Sequence, residues 1–295
     1  MAGLSEDGRR RGRVLRRWHP LAPAAGLLAL AGFALAQSPP APAAHARVTL
    51  GAETRAIVPG QTLELGLREE IQSGWHTYWL NPGDSGLPTT IDWHLPPGFA
   101  AGPIAWPTPE RLRAGSLVSY VYSGDVVLPV SIAVPADLAP GTSITLTGRA
   151  NWLVCAEICV PEAADLALTL PVTAGSAAPD PEWSDRLRAA RAATPGESRF
   201  PAAITVGRES IALHLDLGDT RSLRDFVFFP ADAGIIDNDA EQRVRTEGHG
   251  ITISLARGEL KAEPLQSLNG VLVFRDTSRD GAGGRLAVAL SVQAP

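Results

Sequence analysis

Cys155 and Cys159 are the only thiols in this chain of 295 residues, and three residues separate them in Asn151-Trp-Leu-Val-Cys-Ala-Glu-Ile-Cys-Val-Pro-Glu162. A disulfide across so small a ring removes little entropy from the unfolded chain, about 2 kcal/mol by loop closure. A structural staple gains more by spanning a long loop, whereas a pair that opens and closes has no such need. The spacing therefore reads first as a redox dithiol and second as an inert brace. Thiol–disulfide exchange needs in-line attack of a thiolate on an accessible sulfur, through a mixed disulfide. A two-cysteine metal site lacks a nearby His or further Cys at ligand spacing. Cu(I) at the reduced thiols is the weaker metal alternative, since soft thiolates suit it.

Two other segments hold residues able to act on sulfur. Gly74-Trp-His-Thr-Tyr-Trp79 packs three aromatics and a His into five positions. It reads either as an aromatic strand on a core or as a wall that turns His76 or Tyr78 toward the cysteines, to shield them or relay a proton. A charged His near a thiol lowers the thiol pKa. Glu157, at the centre of the cysteine loop, joins these two as a shielding or relay residue. Trp106-Pro-Thr-Pro-Glu-Arg-Leu-Arg113 carries two prolines and three charges, which favours a loop over a strand. It is either a plain surface loop or a lid over the disulfide. The polar clusters Asn81 to Ser85 and Asp237 to Glu241 read as turns, without the ligand spacing of a calcium loop.

The elements that must position these residues read as strands. Leu63, Leu65 and Leu67 alternate, as do Val126, Leu128, Val130, Ile132 and Val134, then Ile144 and Leu146, then Leu166, Leu168, Leu170 and Val172. Period-two alternation marks half-buried strands. Turn signals separate them at Asn81-Pro-Gly-Asp84, Pro96-Pro-Gly98, Ser123-Gly-Asp125 and Ala139-Pro-Gly141. Short strands with Gly/Pro turns predict a β-sandwich over 47–174. Residues 175–199 break the rhythm. Asp180 caps a helix there, Pro181 takes its first position, Trp183, Leu187 and Ala190 share a face, and Thr194-Pro-Gly196 stops it. A second β domain follows over 200–295, with Ile211 to Leu217, Ile251 to Leu255 and Leu286 to Val292 alternating. Its densest apolar run, Phe226 to Pro230, suggests a buried central strand. The fold class is thus all-β: a sandwich, a short helical linker, and a second sandwich-like domain. Five of the seven tryptophans and all three tyrosines fall between residues 75 and 152, around the cysteine region.

The N-terminus reads as an export signal over 1–36. Six arginines from Arg9 to Arg17 precede an apolar stretch from Leu21 to Ala36 that ends in small-x-small. A second such pattern, Ala44-His45-Ala46, leaves the cut site open, and an uncleaved anchor is the alternative. A Pro/Ala-rich segment, expected to be disordered, covers 37–46. A net charge of -5 gives no reason to expect nucleic acid. With no phosphate-cradling glycine motif, zinc spacing or GxSxG elbow, neither a cofactor nor a resident metal is expected. An exported chain meets an oxidising compartment, here the periplasm, where disulfides persist. Oligomeric state is not encoded in any of these patterns.

Gly74-Trp-His-Thr-Tyr-Trp79, Asn81-Pro-Gly-Asp-Ser-Gly86, Val127-Leu-Pro-Val130 and the cysteine segment together resemble the N-terminal periplasmic domain of DsbD-type thiol:disulfide interchange proteins. The nearest branch includes the suppressor-of-copper-sensitivity membrane reductases. Phe228 to Ile236 also resembles the second extracytoplasmic region of that branch. The resemblance implies an immunoglobulin-like sandwich with a redox-active pair on an inserted loop. It implies electron relay between a membrane electron donor with its thioredoxin-like domain and oxidised thioredoxin-like periplasmic partners. It also implies a cap loop, by position Thr108, Pro109, Glu110, Arg111, Leu112 and Arg113, and attack at Cys159, with His76 and Tyr78 beside the site. The cysteine spacing is shorter than in the best-known members. No counterpart of the membrane-spanning and thioredoxin-like portions is found in the sequence, so the electrons are expected from a separate donor. The reading from a different class is a non-catalytic sandwich that binds partners in copper handling or envelope assembly, its disulfide only a brace.

Overall fold

Each alternating run folds as a strand because one of its two faces finds a core. The computed structural model describes residues 44–259, 264–278 and 284–295. The expected export leader and residues 37–43 of the Pro/Ala-rich segment lie outside them. The described residues belong to one compact unit, and no helix among them is long and apolar enough to cross a membrane.

The first region holds ten strands: β1 (Ala46–Ala52), β2 (Thr62–Ile71), β3 (Thr77–Gly83), β4 (Thr90–His94), β5 (Ala100–Ile104), β6 (Glu110–Ala114), β7 (Leu117–Tyr122), β8 (Asp125–Ala133), β9 (Ser143–Cys155) and β10 (Cys159–Pro171). They pair as β1-β2-β8-β5, as β10-β9-β4 and as a small third sheet, β3-β7-β6. The first two sheets face each other as an immunoglobulin-like sandwich. Leu63, Leu65, Val130, Ile132, Leu146, Leu170 and Val172 fill one end of its core. Leu67, Leu128, Trp152 and Val154 fill the other end, against Trp79, Tyr120 and Tyr122 of the third sheet. The sheet begins earlier than the composition suggests. Ala46 already pairs with Ile71 and is buried, and His45 stacks on Trp75 with ring centroids 3.7 Å apart.

The inward alternation of β2 continues past Leu67 to Glu69, which is 0% exposed. Its carboxylate accepts the Thr77 and Thr89 hydroxyls, each at 2.7 Å. Those two bonds offset part of the cost of burying it.

The linker forms α1 (Trp183–Ala193). Asp180 Oδ1 accepts the backbone N–H groups of Glu182 and Trp183 at 3.0 Å, so it organises the turn that opens the helix. Leu187 and Ala190 are buried against Val127, with Trp183 beside them. Gly51 is needed beneath Trp183, where a Cβ would sit 1.9 Å from the indole.

The second region holds β11 (Gly196–Glu197), β12 (Ala202–Val206), β13 (Ser210–Asp216), β14 (Leu223–Pro230), β15 (Arg243–Glu247), β16 (Gly250–Ala256), β17 (Ser267–Asp276) and β18 (Gly284–Gln293). Two four-stranded sheets, β11-β18-β17-β14 and β12-β13-β16-β15, enclose an aliphatic core with Phe228 and Phe274. The dense run in β14 is not a central strand. It lies at a sheet edge, paired only with β17. Both of its faces are buried because they meet different cores: Phe228 enters the second region, and Phe229 wedges against Trp79 and Tyr120 of the first. Gln242 covers the free edge. Its amide accepts from Phe228 N at 2.7 Å and donates to Phe228 O at 2.8 Å, as a partner strand would.

Two local readings are corrected. Asn81-Pro-Gly-Asp84 is not a simple turn, since β3 runs through Gly83 with a register shift between Tyr78 and Gly83. Glu110 to Arg113, expected as loop, is strand β6, paired with β7 from Glu110↔Val121 to Ala114↔Leu117. All five of its residues are exposed, so no core alternation reveals it. Partner pairing alone makes it a strand.

Candidate functional site

The cysteines face each other across the β9–β10 hairpin, with Cys155 paired directly to Cys159 and Ala156, Glu157 and Ile158 at the tip. Ala156 N donates to Ile158 O at 3.0 Å and closes the tip. The two sulfurs form a disulfide, with Cα atoms 4.1 Å apart. Their environments differ sharply. Cys155 is 1% exposed and packs with Tyr78, Val121 and Leu153, whereas Cys159 is exposed. The cause lies in the topology. Cys155 backs onto β3, where His76 and Cys155 exchange both backbone hydrogen bonds at 2.9 Å. Among the described residues, no third strand covers Cys159.

That bridge sets the aromatic segment against the sulfur pair. The Tyr78 hydroxyl lies 3.8 Å from Cys159 Sγ and 3.3 Å from His76 Nε2. A disulfide sulfur carries no proton, so the phenol is the donor. Burial pushes the Tyr78 hydroxyl pKa up, against a smaller opposing influence of Ser85, so it remains a protonated donor at neutral pH. Burial holds the His76 imidazole below its ordinary value. The ring is therefore neutral near pH 7. His76 reaches the sulfur pair through the Tyr78 hydroxyl.

Gly86 completes this wall. At φ 107° it lies flat under Tyr78, where a Cβ would fall 2.2 Å from the ring. A side chain there would displace the phenol.

Of the expected cap residues, Leu112 reaches the site. It lines a cleft of about 590 Å³ with Gly74, Trp75, His76, Ala156, Glu157 and Ile158. Leu112 is 39% exposed and Ile158 67% exposed, so the rim beside the disulfide is apolar and wet. The cap strand stands beside the loop tip and leaves Cys159 open. Its other residues point elsewhere. Thr108 donates through N and Oγ1 to Ala193 O at the end of α1, both at 2.9 Å. Pro109 O accepts from Arg285 at 3.0 Å, while Arg111 and Arg113 bind Asn238 O and Asp239. Glu110 accepts from Ser123 at 3.2 Å. Glu157 is exposed on the tip. Among the described residues, no group of three or more His, Cys, Asp or Glu side chains is placed to hold a metal. Sequence reasoning missed Ser85, Val121 and Asn238. The glycine of Asp84-Ser-Gly86 was the one available signal for the loop under Tyr78.

The comparisons follow from this geometry. Residues 47–171 match the family described as thiol:disulfide interchange protein DsbD, N-terminal. That span is a DsbD-type N-terminal domain. The N-terminal periplasmic domain of ScsB from Proteus mirabilis is similar in structure over 85% of this chain and 94% of its own, at a TM-score of 0.59 and 17% identity. At that identity the likeness is one of fold, and it extends beyond the DsbD-type domain into the second β region. A protein of unknown function from Porphyromonas gingivalis W83 aligns over 83% of this chain and 99% of its own at 11% identity, with a TM-score of only 0.25. No curated protein matches the chain.

Proposed function

We propose that this chain is a periplasmic thiol–disulfide exchange protein that passes electrons through Cys155 and Cys159 to or from thioredoxin-like partners. The observation that carries the reading is the asymmetry of the pair: one sulfur is buried against Tyr78 and Val121, and the other is exposed beside a phenol hydroxyl.

The chemistry follows from that asymmetry. A partner thiolate attacks Cys159 Sγ, the S–S bond breaks, and Cys155 Sγ leaves with the electron pair and takes a proton. A second partner thiol attacks the mixed disulfide and releases Cys159, so two electrons enter the pair and the partner becomes a disulfide. In the opposite direction Cys159 is the nucleophile toward a partner disulfide and Cys155 resolves the product. The Tyr78 hydroxyl supports Cys159 as a thiolate by donating to it, and neutral His76 orients that hydroxyl. Leu112 and Ile158 supply an apolar rim for the partner. A membrane reductase is the proposed source of electrons. The export leader, outside the described residues, supports periplasmic location.

Substituting one cysteine at a time tests the assignment. With an oxidised thioredoxin-like partner, Cys155→Ala should accumulate a mixed disulfide, because Cys159 attacks the partner disulfide and no Cys155 thiol resolves the product, and Cys159→Ala should accumulate none. If both variants exchange thiols like the parent, or if the parent disulfide resists every mild dithiol, the brace reading replaces this one.

A further inference from the structure

Two polar clusters that read as unrelated turns meet in space. Asn238 is 6% exposed and lies in the second β region, yet its bonds go to the first. Its Nδ2 donates to Asp84 Oδ1 at 2.7 Å, its Oδ1 accepts from the Tyr120 hydroxyl at 2.8 Å, and its carbonyl accepts from Arg111. Asp84 is itself fixed to β7, because Val118 N donates to Asp84 Oδ2 at 2.7 Å. The segment Asp237 to Ala240 is held in shape by Asp237 Oδ1, which accepts from Asp239 N and Ala240 N.

Each of the three contacts falls next to a residue of the redox site. Asp84 lies two residues before Gly86, which packs flat against the Tyr78 ring. Tyr120 precedes Val121, which packs on Cys155 and Tyr78. Arg111 precedes Leu112 of the cleft. On β6 and β7 successive side chains point to opposite faces, so one face grips Asn238 while the other faces the site. Moving the grip moves the wall.

We infer that Asn238 is a positioning residue for the redox pair: by joining Asp84, Tyr120 and Arg111 it fixes the Tyr78 hydroxyl against Cys159, and so gives the second β region a part in the exchange reaction. The inference rests on the proposed role of Tyr78 as the donor to Cys159. Asn238 touches neither sulfur and acts only through that phenol.

The test is iodoacetamide alkylation of Cys159 in the reduced chain, followed by mass spectrometry across pH, with thermal melts to verify folding. Asn238→Ala should slow alkylation at pH 7 roughly tenfold and move the midpoint of the profile to higher pH, the effect of losing a hydrogen bond to a charged sulfur. Tyr78→Phe should do the same, and the double variant should be no slower than Tyr78→Phe alone, since both act on one interaction. Asp84→Asn combined with Asn238→Asp exchanges donor and acceptor across the contact and should restore the parent profile. This swap keeps the test decisive if Asn238→Ala melts early. A parent-like profile for Asn238→Ala beside a shifted one for Tyr78→Phe overturns the role of Asn238 and leaves the role of Tyr78 standing. Additive effects in the double variant overturn it too. A parent-like profile for Tyr78→Phe overturns both roles.

Discussion

The two β regions are built by the same rule and differ in how often they break it. In the second region, inward positions are aliphatic or Phe, and the strands β13 and β16 alternate without interruption. In the first, Glu69 and Thr77 occupy buried positions, a short third sheet leans on the sandwich, and a hairpin ends in a disulfide. Buried polar groups are costly unless each is satisfied. They cluster in the region that carries the sulfur chemistry. Three residues of the second region, Phe229, Asn238 and Arg285, reach into the first. Regularity marks the part of the molecule that only has to be stable, and departures mark the parts that hold the site.

The largest expected effect separates the cores. Phe228→Ala and Phe229→Ala each remove a fully buried ring and should cost about 3–5 kcal/mol. The second region has no Trp or Tyr, so tryptophan fluorescence reports on the first region and the helix. Phe229→Ala should change the native spectrum, because the ring packs on Trp79, and Phe228→Ala should leave it unaltered. Equal spectra for the two variants would erase the distinction between the faces of β14.

Next in size is the buried acid. Burial pushes the Glu69 carboxyl above its ordinary value, against the opposing bonds from Thr77 and Thr89. A value raised in the folded state gives a contribution that is full below the unfolded value and is lost as pH rises through the folded one. Glu69→Gln should therefore gain on the parent between pH 4 and 8, by on the order of 1–3 kcal/mol at the upper end. Urea denaturation at each pH measures this, and parallel stability curves would contradict it.

Two smaller effects sharpen the contrast between edge and surface. Gln242→Ala uncovers the edge of β14 at two hydrogen bonds and should cost about 1 kcal/mol in urea denaturation. Arg113→Ala breaks an exposed ion pair with Asp239 and should change stability by less than about 0.5 kcal/mol. If Arg113→Ala outweighed Gln242→Ala, an exposed ion pair would matter more to stability than the cover on the β14 edge.

Much of the architecture was legible because burial writes a period into a strand. Leu63, Leu65 and Leu67, and Leu128, Val130 and Ile132, lie inward as their alternation requires. The linker helix stops at Thr194 as expected, whereas it begins at Trp183 behind a Glu182 cap, so Asp180 and Pro181 lie in the turn ahead of it. Strand β6 was illegible because it has no buried face. The edge position of β14 was illegible because two cores produce the same dense run as one central strand.

By itself, the chain dictated the local facts: which runs alternate, where glycine and proline turn them, and that two thiols four positions apart can close a small ring. Local geometry suffices for these, since neighbours in sequence are neighbours in space. Only the tertiary structure decided that Cys155 is sealed and Cys159 open, that His76 is neutral, and that Asp84 meets Asn238 across 154 positions. Burial and long-range hydrogen bonds depend on which surfaces the sheets bring together, and no spacing of residues along the chain records that choice.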